Sequence, residues 1–373
     1  FHIDLRNAFV FPGLIDLHVH LMAANLKEGS PLDRFIRTDA KIAFDSIENS
    51  EKTLCAGFTT IRDPGDHNGI IELRNAINKG QVIGPRVYAA PRAISITGGH
   101  GDVSNGYRPE FEPVMQGYGV CDGPEECRKA VRKQVKMGAD MIKVMASGGI
   151  MSNVASGMAQ QLTDSELKAI VETANNFGLT VAAHAHGKDG MEAALRAGVD
   201  TIEHGTYLDE ESIKLFKKTG KYLVPTLLAG KTVYEMSLIP GVLQPAQKYK
   251  AQTAAPKMKS AFAKAYKAGV KIAFGTDTSV SPFGDNWQEF PIMIDAGMPE
   301  NEAFISATKN AASALKKYDL IGSINAGKYA DIIAYDKDPL KDITITSNAD
   351  FIMKDGMVFR YQGNGFCQKF VSP

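Results

Sequence analysis

One unit recurs along this chain, and few folds can use it so often. A helical segment ends at a glycine, a few residues follow, and a short apolar strand runs out into polar residues. Gly57 precedes FTTIRD, Gly138 precedes MIKVMAS, Gly178 precedes TVAAHAH, Gly198 precedes TIEHG, Gly220 precedes YLVPT and Gly269 precedes KIAFGTD. Glycine in this role is a helix C-cap in the left-handed conformation. LIDLHVH at 14–20 and RVYAAP at 86–91 bring the expected strands to eight. Between them, Thr163 and Glu166 form a capping box ahead of ELKAIVETANNF. Pro124 and Pro299 open two further helical stretches, where a missing N–H costs nothing. Eight strand–helix alternations are the pattern of a closed parallel barrel, so residues 14–319 are expected to form an α/β fold of the (β/α)₈ TIM-barrel type.

The two ends read differently. GSINAGKYADIIAYDKDP and ADFIMKDGMVFR are short β segments separated by turn residues, and FHIDLRNAFVFPG at the start is similar. Residues 1–13 and 320–373 are therefore expected to meet in a small β-sandwich beside the barrel. The chain starts abruptly at Phe1 with no visible signal peptide, so a removed leader would place it in the periplasm or outside the cell, and its absence in the cytoplasm.

Composition narrows the partners. The formal net charge is zero, which offers no field for nucleic acid or anionic lipid and favours a small-molecule or peptide partner. No apolar run approaches the roughly 20 residues of a membrane span. The basic run at 128–136 reads as a solvated helix face. Cys55, Cys121, Cys127 and Cys367 lack zinc-ribbon spacing. Cys121 and Cys127 could pair, which would indicate an oxidising compartment, but free thiols are the expected state.

Barrel enzymes carry their chemistry at the C-terminal ends of strands. His18, His20, His100, His184, His186 and His204 all fall at or just after such ends; His2 and His67 do not and are given no role. His18 and His20, two apart on a strand, point to one face and form a ready pair of nitrogen ligands. Lys143 lies within the apolar MIKVMAS, where an inward ammonium would carry a heavy desolvation cost unless paired or neutralised. Asp277 ends the last strand, where a buried carboxylate needs a cation or strong donors. His18, His20, Lys143, His184, His204 and Asp277 together point to metal. Gly148, Gly149 and Gly157 follow no phosphate-loop pattern and read as a flexible loop.

These motifs resemble the amidohydrolase superfamily. PGLIDLHVHL is similar to its first-strand signature, and IKVMASGG, VAAHAHG, TIEHGTYLD and FGTDT to its fourth, fifth, sixth and eighth strands. GSINAGKYADIIAYDKDPL resembles its return to the sandwich, and TGGHGD at 97–102 looks most like the branch of prolidase-like, Xaa-Arg/Lys carboxypeptidase-like and ochratoxin-hydrolysing enzymes. The family's usual N-terminal strands are missing here.

The resemblance implies two divalent metal ions, Zn²⁺ by donor chemistry, with Mn²⁺, Co²⁺ or Fe²⁺ as substitutes. His18, His20 and Asp277 would hold one ion and His184 and His204 the other. Lys143, carbamylated by CO₂, would bridge both. Asp277 would also move the proton and His100 would stabilise the oxyanion, while His186, Tyr207 and Arg108 are candidates for holding substrate. The implied reaction is hydrolysis of the amide bond of a dipeptide or N-acyl amino acid with a free carboxylate, by a homo-oligomer, relatives being commonly oligomeric. Lactonase or phosphotriesterase chemistry would use the same two-metal centre. A one-metal deaminase or imidazolonepropionase-like hydrolase would not need Lys143, and such deaminases often carry an acidic group soon after His184, where none occurs before Asp189. A metal-free, non-catalytic relative would have no use for the full donor set.

Overall fold

The computed structural model describes residues 3–26, 33–65, 67–115, 119–152, 157–362 and 364–370; His2 lies outside them. The chain divides into two compact units. The first comprises Phe1–Arg62, Glu72–Tyr88 and Ala273–Pro373, and the second Asp63–Ile71 and Ala89–Ile272.

All eight expected strands form. In the second unit, five lie in one sheet in the order Lys271–Ile272, Tyr222–Val224, Thr201–His204, Thr180–Ala185 and Met141–Met145, with the two-residue strand Ala93–Ile94 added at the edge. Every neighbouring pair is parallel. The remaining three, Leu14–Asp16, Phe58–Asp63 and Arg86–Ala89, form a second sheet. The six glycines that end the preceding helices all have positive φ, from 65° to 98°. Only glycine enters that region without a Cβ penalty, so each can stop its helix and turn the chain into the next strand.

Alternation sorts the side chains. In Met141–Met145, Ile142 and Val144 are fully buried on one face. Lys143 therefore points the other way and is only 2% exposed. The strands end early, usually at or just before the polar residue at their tip, and leave the chemistry on the turns that follow.

The first unit also contains a four-stranded antiparallel sheet in the order Phe9–Pro12, Ile332–Tyr335, Phe351–Lys354 and Met357–Tyr361. Residues from both ends of the chain thus pair directly. No helix among the described residues is long and apolar enough to cross a membrane.

The expectation of free thiols is overturned. Cys55 pairs with Cys367 across a separation of 312 residues, and Cys121 pairs with Cys127. Their Cα–Cα distances of 5.3 and 5.0 Å lie within a disulfide's reach. Sequence could suggest the short pairing, but only the fold brings the end of helix Asp39–Cys55 to the turn Phe366–Phe370.

Candidate metal centre and active site

The first unit gathers His18, His20 and Asp277. Residues 274–278 run beside residues 17–20: Leu17 N donates to Phe274 O (3.0 Å), Asp277 N to His18 O (2.7 Å) and His20 N to Thr278 O (2.9 Å). The Asp277 Oδ1 atom lies 3.6 Å from His18 Nε2 and 3.2 Å from His20 Nε2. Beneath them sits Asp16, a residue given no role from the sequence. It is fully buried and accepts from His18 N (3.0 Å), Thr276 N (3.2 Å), Thr276 Oγ1 (2.7 Å) and Asn286 Nδ2 (2.8 Å). Burial pushes its pKa up to about 6, against the pull of those donors.

The second unit gathers four imidazoles. His184 packs against His100 (ring centroids 4.4 Å apart), His204 (4.6 Å) and His186 (4.8 Å), and His186 stacks on His204 at 4.6 Å and 11°. Strand register explains the grouping, because His184 lies opposite Met145 and Glu203 while Ala185 lies opposite His204. Hydroxyls set the rings: His186 Nδ1 pairs with Thr206 Oγ1 (2.6 Å) and His204 Nδ1 with Thr226 Oγ1 (2.7 Å). Such contacts select a tautomer and aim the other nitrogen. Burial holds the His184 pKa well below its ordinary value, reinforced by His100, His204, His186 and Lys143. A neutral imidazole with its lone pair available is the ligand form.

Backbone strain marks the same places. His204 (φ 73°), Thr226 (φ 49°) and Asp277 (φ 60°) adopt left-handed conformations without being glycine. Each such residue costs on the order of 1–3 kcal/mol and persists only where its surroundings hold it.

The donor chemistry fits divalent metal in both units. The first offers imidazole nitrogen and carboxylate oxygen; in the second, the donor atoms of His184, His186 and His204 lie within 4.8 Å of one another. His186, expected to face substrate, thus stands among the possible donors. His100 is carried by a loop whose backbone is pinned at His100 N by Gln161 Oε1 (2.8 Å). Tyr207 is half-buried, its N–H donating to His186 O (3.0 Å) and its ring under Lys257 Nζ (4.8 Å). Arg108 is exposed and pairs with Glu110 at 3.0 Å rather than with any histidine. Gly148 and Gly149, read as a flexible loop, are buried. A Cβ on Gly149 would fall 2.3 Å from His100 Cε1, so glycine is needed there for close approach.

The chain belongs to the amidohydrolase family, whose model matches residues 9–363. It is a hydrolase acting on carbon–nitrogen bonds. It is 34% identical to an ochratoxinase of Aspergillus niger over 383 aligned positions, covering 96% of this chain and 77% of that protein. Among solved structures it is similar to a Xaa-Pro dipeptidase with methionine bound in the active site: 41% identity, TM-score 0.91, 96% of this chain and 88% of that one. A prolidase complexed with N-methylphosphonate-L-proline is 31% identical with TM-score 0.86, over 96% and 89% of the two chains.

Proposed function

We propose that this chain is a two-metal amidohydrolase that cleaves the amide bond of a dipeptide or N-acyl amino acid bearing a free carboxylate. The observation that carries this reading is the pair of donor groups at parallel strand ends: His18, His20 and Asp277 in one unit, Lys143, His184 and His204 in the other. In this reading residues 14–319 form a (β/α)₈ barrel that carries its donors at the C-terminal ends of its strands, and 1–13 and 320–373 form the sandwich.

His18, His20, Asp277, Lys143, His184 and His204 would hold a pair of divalent ions, zinc by donor chemistry, which when bound would supply a nucleophilic hydroxide at neutral pH and polarise the scissile carbonyl. Lys143 would give up one proton to become a neutral amine, add through Nζ to CO₂ and lose a second proton, which turns a costly buried cation into an anionic carbamate. Asp277 accepts the proton of the attacking water and returns it to the leaving nitrogen. His100 donates to the amide oxygen as it gains charge. His186, which packs against His184, and Tyr207, whose N–H donates to His186 O, are the better candidates for the substrate carboxylate; Arg108, turned to Glu110, is the weaker. The names of the similar proteins, two of them peptidases of the Xaa-Pro class, favour peptide-like substrates. The two disulfides favour an oxidising compartment.

The test is metal analysis joined to a substrate library of dipeptides and N-acyl amino acids, each with a C-terminally amidated twin. About two ions per chain and turnover confined to the free acids are expected. One ion per chain with turnover of a ring amidine, or turnover of a lactone or phosphotriester with none of the dipeptides or N-acyl amino acids, would overturn the assignment.

A further inference from the structure

Helix Pro245–Lys267 carries a lysine that a surface helix does not need. Lys250 is 7% exposed, and its ammonium donates to Gly149 O (2.8 Å), Ser152 O (2.5 Å) and Ser152 Oγ (3.2 Å). Ser152 Oγ in turn donates to Gly149 O at 2.9 Å. One turn earlier, Gln247 Nε2 donates to Met151 O at 2.7 Å. Two side chains of one helix therefore hold the carbonyls of residues 149, 151 and 152. Burying an ammonium costs heavily unless charge-assisted hydrogen bonds replace its water, as these do.

The segment so held touches two imidazoles on its other side. All three ring atoms Cε1, Nε2 and Nδ1 of His100 lie 2.3–2.6 Å from where a Cβ on Gly149 would sit, so the ring rests directly on that residue. Gly148 O lies 3.4 Å from His184 Nε2. Moving this backbone would move the seat of His100 and the partner of His184 together.

We infer that Lys250 is a positioning residue for the hydrolysis, setting the place of His100 through Gly149 and the orientation of His184 through Gly148. The inference rests on the catalytic reading of His100 given above. A lysine that only stabilised the loop would affect melting and leave the chemical step alone.

The experiment compares Lys250→Met, Lys250→Arg and Gln247→Ala in the metal-loaded full chain. Lys250→Met is expected to lower kcat by about 10²-fold, the scale of a small misplacement of a catalytic group, with KM and metal content changed less than about twofold. Lys250→Arg, which restores a cationic donor, should recover about tenfold of that loss, and Gln247→Ala should lose about threefold. Added to His100→Ala, Lys250→Met should cost almost nothing more, because both act through one ring. Amide exchange in residues 148–152 should speed up in Lys250→Met. Full additivity with His100→Ala, or unchanged kcat in both Lys250→Met and Gln247→Ala, would overturn the inference. If Lys250→Met does not fold, Gln247→Ala alone decides. Should His100→Ala itself retain kcat, the catalytic reading of His100 falls; the exchange rates and the His100 ring resonances then decide whether Lys250 still sets the loop.

Discussion

His18 takes its place from a carboxylate, whereas His204 takes its place from a hydroxyl. Around His18, one buried Asp16 collects donors from His18 N, Thr276 and Asn286, so a single side chain fixes the backbone of two strand ends at once. Around His204 and His186, each ring has its own threonine, and part of the geometry is stored in the left-handed backbone of His204 and Thr226. The first arrangement is shared and charged; the second is local and neutral. A change at Asp16 should therefore spread, and a change at Thr226 should stay with one ring.

The largest effect is expected at Asp277, the member of the first group proposed to move the proton. Asp277→Asn should lower kcat by about 10³-fold or more while some metal is retained, since the loss is of proton delivery. Near wild-type turnover, measured with metal content, would remove Asp277 from that role. In the second group, His100→Ala should lower kcat by about 10²–10³ and bind metal normally. Intact kcat with a raised KM would make His100 a carboxylate holder instead.

Asp16→Ala tests the shared anchor. It leaves four buried donors without their acceptor and should cost about 2 kcal/mol in denaturant melts. Its pH dependence carries a definite sign. The folded pKa of about 6 lies above the ordinary 3.8, so the stability contributed by Asp16 is full below pH 3.8 and is lost as pH rises through 6. The gap between wild type and Asp16→Ala should narrow over that window, and a gap that widens would contradict the burial argument. The smallest effect is expected for Thr226→Val, which loses one hydroxyl. Metal affinity should fall about tenfold with little change in melting. A loss of fold in Thr226→Val as large as in Asp16→Ala would erase the contrast between the two regions.

Much of this was legible in the sequence because it is local. A glycine cap, an apolar run and a polar tip occupy fewer than a dozen residues, and the rule about strand ends brings forward His18, His20, His100, His184, His186 and His204 without any knowledge of contacts. The supporting residues are different. Asn286 reaches Asp16 across 270 positions, and Lys250 reaches Gly149 across 101. Nothing in the local pattern around Lys250 separates it from the solvated lysines of the same helix. One signal could have been read: Asp16, His18 and His20 alternate along one strand, so all three share a face. Thr206, two residues beyond His204, offers a weaker hint. The glycines at 148 and 149 were misread because a need for close packing leaves the same letters as a need for freedom.

The Cys55–Cys367 bond makes most of the chain a covalent ring. By loop entropy alone, closing 312 residues is worth about 6 kcal/mol against unfolding. It also changes what a protease can achieve. The exposed turn at Arg108–Glu110 lies inside the ring, so a cut there opens the chain without dividing the molecule. Nicked protein should run as one species on a non-reducing gel and fall into two only when a thiol is added. An enzyme working among secreted proteases could in this way be clipped and still hold all its parts.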